Sequence, residues 1–175
     1  MTSPVDRQLP AALAAALALP FVYDHGEVVD FEPFSGFLTA EDTADWLQAW
    51  TGNPEVSGDD FRVFGQDGSG GYVAFWLVRG GRELDDQPVV FLGSEGETAV
   101  LARDLGDFLW LLAGGYGPAE AARTPDPGWT PRPSEALAAV ARRAAPGREQ
   151  PAAAVVEQAA REFPEFDDTV MELCR

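Results

Sequence analysis

Apolar residues recur with two different periods along this chain, and the change of period shows where strands give way to helices. Between residues 61 and 102 the apolar runs are short and cut by glycine-bearing loops. Phe61-Arg-Val-Phe64 is followed by the loop 65–71, then by Tyr72-Val-Ala-Phe-Trp-Leu-Val78. A second turn at 79–82 leads to Gln87-Pro-Val-Val-Phe-Leu92, and a third loop at 93–97 leads to Thr98-Ala-Val-Leu-Ala102. Runs of this length and composition read as strands, and connections this short demand antiparallel pairing. In 72–78 large apolar groups occupy both alternating sets, so this strand is expected at the centre of a sheet and covered on both sides. Pro88 suits a strand's beginning, where its missing N–H breaks no ladder bond.

Helical spacing dominates elsewhere. Leu9, Leu13 and Leu17 recur every four residues and predict a short helix packed on the body. Phe21-Val-Tyr23 and Val28-Val-Asp-Phe31 flank the polar turn 24–27 as a hairpin, with Pro33 limiting its second strand. Thr39 is an N-cap, with Glu41 and Asp42 at the positive end of the helix dipole and Gly52 as the stop. Within this helix Trp46 and Trp50 are i and i+4 neighbours; such a pair packs into a core more often than it faces a partner. Asp104 caps a helix to Ala113 in which Leu105, Phe108, Leu109 and Leu112 form one stripe and Trp110 and Leu111 lie outside it. That helix therefore needs cover on two sides. Residues 116–133 read as a Pro-rich connector tethered by Trp129, followed by Ser134 capping Glu135–Ala145. Pro151 sits at the first turn of a helix to about Phe163, and Asp167 or Asp168 caps a last short helix. These C-terminal helices are the expected cover for Trp110 and Leu111.

The pattern predicts an α+β fold: a single twisted, mainly antiparallel sheet backed by helices, with a C-terminal helical extension. Residues 1–117 form the α+β domain, and 118–175 the connector and helices packed on it.

Charge narrows the function. The chain carries 29 acids against 12 basic residues, all arginine, for a net charge of −17. Residues 1–115 hold 19 acids and 5 arginines, a net −14, so the acidity sits on the sheet-bearing part. Such a surface repels nucleic acid and anionic lipid and steers a basic protein partner toward it, besides favouring solubility. A lone cysteine, Cys174, excludes an internal disulfide framework. The apolar run 9–20 lacks the positive flank of a signal peptide and is too short to span a membrane, which predicts a cytoplasmic protein.

The inventory of reactive groups is thin. Ser69, in the loop Asp67-Gly-Ser-Gly-Gly71, has only His25, the sole histidine, to activate it. That loop lacks the alternating oxygen ligands of a calcium site, and the chain has no lysine for a Walker loop. Asp24, His25 and Glu27 lack the spacing of a metal site. No catalytic residue, cofactor or metal ligand is therefore assigned. Loop carboxylates are better suited to recognition: Asp67, Asp85, Asp86, Glu95 and Glu97 project from strand connections and are the candidate partner-binding residues.

The run Phe61 to Gly117 resembles the SUKH superfamily of Smi/Knr-like proteins. The likeness lies in the aromatic-Gly-x-Asp-Gly-x-Gly loop (Phe64 to Gly70), the strand with Pro88 and Val89, the short acidic loop after it, and the Asp-Phe-Leu-x-x-Leu pattern from Asp107 to Leu112. This resemblance implies an α+β fold and a non-catalytic role. Bacterial members are typically immunity proteins that bind and neutralise a cognate toxin, often a nuclease; fungal relatives act through protein contacts in cell-wall signalling. The expected function is thus an immunity protein covering a basic toxin domain. The alternatives are a regulatory or scaffold interaction domain using Trp46 and Trp50, and a small hydrolase using His25.

Overall fold

A computed structural model describes residues 7–21, 29–123 and 127–175. The predicted hairpin around 24–27, with His25, lies outside the described residues, apart from Phe21 and 29–31 at its ends. Residues 29–31 are not a strand, and the edge strand is instead Glu32–Pro33, which pairs with Gln66 and Gly65 and tolerates Pro33 at the sheet edge. Five strands, β1 (Glu32–Pro33), β2 (Phe61–Gln66), β3 (Tyr72–Trp76), β4 (Val89–Leu92) and β5 (Thr98–Ala102), pair in the order β1-β2-β3-β4-β5, every neighbour antiparallel. Seven helices among the described residues surround the sheet: α1 (Ala11–Leu17), α2 (Ala40–Thr51), α3 (Leu105–Ala113), α4 (Pro118–Ala122), α5 (Glu135–Ala144), α6 (Ala152–Glu162) and α7 (Phe166–Met171). The α+β architecture expected from the pattern is present.

Strand alternation sorts the sheet's side chains into two cores. Val73, Phe75, Val89, Phe91 and Leu101 face one layer, with α1, α3 and α5. Val63, Ala74, Val90, Leu92 and Val100 face the other, with Leu47 of α2 and Phe166 and Val170 of α7. β3 is the central strand, and its middle residues Val73, Ala74 and Phe75 are fully buried. A bulge between Val63 and Gly65, and another opposite Val89 and Val90, shift register without breaking this division.

The helix ends follow the local chemistry of the chain. Thr39 Oγ1 accepts from the Asp42 N–H (3.0 Å), and Gly52 stops α2 with φ 67°, a left-handed conformation that glycine adopts without a Cβ clash. Asp104 and Ser134 cap α3 and α5 in the same way. Three expectations differ. Pro151 is the residue before α6, not within its first turn. α7 has no side-chain cap: Asp167 instead accepts from Thr98 Oγ1 (2.6 Å), tying the helix to β5. The strand predicted to Val78 ends at Trp76, because Val78 is 43% exposed and the chain turns away. The connector also contains α4, which proline composition hid.

α3 is buried around most of its circumference. Leu137, Val140 and Ala141 of α5 and Val155 of α6 share its core, and the Trp110 indole donates to the Ala145 carbonyl (3.0 Å). The C-terminal helices are thus the cover that Trp110 and Leu111 required. α6 packs along β5, its Val155 in one core and Ala159 in the other. No helix of the described residues is long and apolar enough to cross a membrane.

Candidate binding surface

The five loop carboxylates singled out above fall at opposite ends of the sheet. In an antiparallel meander the β2–β3 and β4–β5 loops emerge together, and the β3–β4 connection emerges at the far end. Asp67, Glu95 and Glu97 share the first end; Asp85 and Asp86 occupy the second, in the one-turn 3₁₀ helix Leu84–Asp86. They do not form one face.

Asp67 is not a surface residue. It is 1% exposed, and its Oδ1 accepts from the backbone N–H of Gly71 (2.8 Å) and Ser69 (3.1 Å) and from Ser69 Oγ (2.7 Å). A carboxylate so placed organises the turn by replacing backbone partners with its own oxygens. Arg123 then reaches in from the end of α4: its Nη2 lies 3.3 Å from Asp67 Oδ2, and its Nε donates to Glu97 Oε1 (2.9 Å). The same guanidinium lies 5.5 Å from the centre of the Phe91 ring. Ser94 Oγ donates to Ser69 Oγ (2.8 Å) and joins the two loops. Two of the three acids at this end are therefore neutralised from within. Only Glu95 stands exposed there. Arg123 was not foreseen, because it sits in a segment whose prolines read as connector.

At the far end Asp85 and Asp86 are exposed and lie beside Glu83 along a cleft of about 680 Å³ shared with Leu9 and Pro10. Partial desolvation holds the Asp85 carboxyl above its ordinary value, with Asp86 and Glu83 adding like-charge repulsion. Arg79 is tied here: its Nη1 bonds the Asp86 and Arg103 carbonyls, and its guanidinium pairs with Glu162 of α6.

A third region carries more uncompensated charge than either end. Residues 31–60 contain seven acids and no basic residue. On α2, Glu41, Asp42 and Asp45 are exposed, and among the described residues no arginine pairs with any of them. Beside them runs an aromatic stack. Trp46 lies against Trp50 (centroids 5.7 Å apart, planes at 17°) and against Tyr72 of β3 (4.4 Å, 28°), with Phe34 edge-on to Tyr72 (6.2 Å). All four rings are half-buried. The Trp50 indole donates to the Gly93 carbonyl (2.7 Å), which fixes that ring. The tryptophan pair is thus neither core nor free patch. Thr43, Leu47 and Thr51 form the buried stripe of α2, and the row 46–50 lies on its shoulder. Burial, then the Asp42 charge, pushes the Tyr72 phenol above its ordinary value, which brings that carboxylate into the stack's environment.

Among the described residues no group of three or more His, Cys, Asp or Glu is arranged to hold a metal ion. Ser69 Oγ donates to both oxygens of Asp67. No protein-family model, curated protein or solved structure matches this chain.

Proposed function

We propose that this protein is a non-catalytic binding domain of the immunity type, which neutralises a cognate toxin domain with a basic surface by covering it. The observation that carries the reading is the acidity of residues 31–60, seven acids and no basic residue. Of these Glu55 pairs with Arg175, while among the described residues the exposed α2 carboxylates of Glu41, Asp42 and Asp45 meet no arginine. Charge left uncompensated inside a molecule costs stability through self-repulsion and is useful when a partner supplies the opposite sign. The resemblance of 61–117 to Smi/Knr-like proteins supports the same reading, and a cytoplasmic location would suit it. The acidic surface disfavours nucleic acid and anionic membrane as partners.

The test is to look for a large secreted protein encoded beside it and to co-express the C-terminal domain of any found. Rescue of growth, with an affinity that falls as salt rises mainly through slower association, is the expected result. A complex indifferent to salt would remove the electrostatic basis of the proposal. A second reading, a regulatory interaction domain without a toxin, draws on the half-buried Trp46–Trp50 stack; it predicts a resident cellular partner and no growth rescue.

A further inference from the structure

We propose that the Trp46–Tyr72 stack and the carboxylates of Asp42 and Asp45 form a docking strip for an arginine-bearing segment of a basic protein partner. The proposal rests on the binding role above and gives it an address. Residues 42, 46 and 50 follow one another at intervals of four, so they form a single row along α2, with Asp42 one turn before Trp46. Asp45 flanks the row three residues after Asp42. The row therefore reads carboxylate, indole, indole. Tyr72 lies against the first indole from the neighbouring strand, and Phe34 extends the rings beyond it.

This arrangement suits a guanidinium better than an ammonium. Arginine is planar, stacks on aromatic surface, pairs with a carboxylate through two parallel N–H donors, and sheds water more readily than lysine. Its methylene stem covers apolar ring surface that is otherwise in contact with water. The alternatives are disfavoured by charge. A second copy of this chain would bring another −17 to the same face, and a nucleic acid would bring its phosphates. The strip is also pre-formed. The Trp50 indole is held by Gly93, and Asp42 accepts from Thr39 Oγ1 (2.6 Å), so little side-chain freedom remains to be lost on binding.

The experiment titrates ¹⁵N-labelled full-length protein with hexa-arginine and, separately, hexa-lysine. Hexa-arginine should move the indole N–H resonances of Trp46 and Trp50 and the amides of 42–50 and Tyr72, and should bind more tightly than hexa-lysine. The double variant D42N/D45N should weaken hexa-arginine about five-fold, while E157Q, at an exposed α6 acid already paired with Arg161, leaves it unchanged. Asp42 bonds Thr39 at the cap, so the single variant D45N, at an exposed position outside the cap, provides a check that does not depend on folding. A footprint centred on Asp85 and Asp86, or equal affinity in D42N/D45N, overturns the strip. With a neutralised toxin in hand, rescue that survives D42N/D45N overturns the strip and leaves the immunity role standing. A hexa-arginine footprint on α2 without any growth rescue overturns the immunity role and leaves the strip.

Discussion

The Arg148 guanidinium lies 2.6 Å from the Asp107 carboxylate, whose side chain is fully buried in the first turn of α3. Asp107 also accepts from Arg103 Nε (2.8 Å) and Gln150 Nε2 (3.3 Å), and Arg148 bonds the capping Asp104 at 2.8 Å. One cation from the α5–α6 connection thus compensates a buried charge on the helix that closes the sheet. Arg148→Ala removes that compensation, but Arg103 and Gln150 remain and the guanidinium is partly exposed. A loss of about 2 kcal/mol, below the full cost of breaking a buried pair, is expected in urea unfolding.

Truncation after Gly117 tests how far the C-terminal helices belong to the fold. It strips Leu137, Val140, Ala141 and Val155 from the layer around α3 and leaves the Trp110 indole without the Ala145 carbonyl. The exposed apolar surface of α3 should produce a fragment that binds hydrophobic dye and lacks a cooperative thermal transition. A fragment that melts cooperatively would show that residues 1–117 fold without this cover.

Asp67→Ala should act on stability and not on partner recognition. It orphans the N–H groups of Ser69 and Gly71 and leaves Arg123 facing only Glu97. Unsatisfied buried donors cost on the order of 1–3 kcal/mol, so a loss near the middle of that range is expected by chemical denaturation. Partner affinity measured well below the lowered melting temperature should stay within about two-fold, as for other interface-neutral positions.

Acid should weaken the loop end. Glu97 is held below its ordinary value, chiefly by its own backbone N–H and then by Arg123, against some burial. A carboxylate lowered on folding contributes stability that is present above its unfolded pKa and lost as pH falls through the folded one. Arg123 is pushed the other way and stays charged throughout. Unfolding free energy followed from roughly pH 6 to pH 3 should therefore fall less steeply in Glu97→Gln than in the natural chain. Equal slopes would show that the pair contributes nothing.

Much of this molecule was legible in its residues. Caps at Thr39, Asp104 and Ser134 and the stop at Gly52 depend on near neighbours in the chain and took their expected form, and the runs 61–66, 72–76, 89–92 and 98–102 form strands. α4 lies inside the Pro-rich stretch 116–133, whose composition reads as a connector, although proline is tolerated in a first helical turn. Asp67 was read as surface because a loop aspartate between glycines gives no local sign of burial. The cation that compensates it is Arg123, 56 residues later in the chain.

Local spacing and side-chain chemistry determined which segments are helices and strands, and the two-sided apolar pattern of 72–78 determined that the sheet is covered on both faces. Only the tertiary structure decided which charges cancel. Arginines from distant segments settle on Asp67, Glu97 and Asp107, while among the described residues the acids of α2 meet none. The reason is physical: backbone hydrogen bonding and hydrophobic period act over a few residues, whereas ion pairing depends on which segments the packed core brings within a few ångströms.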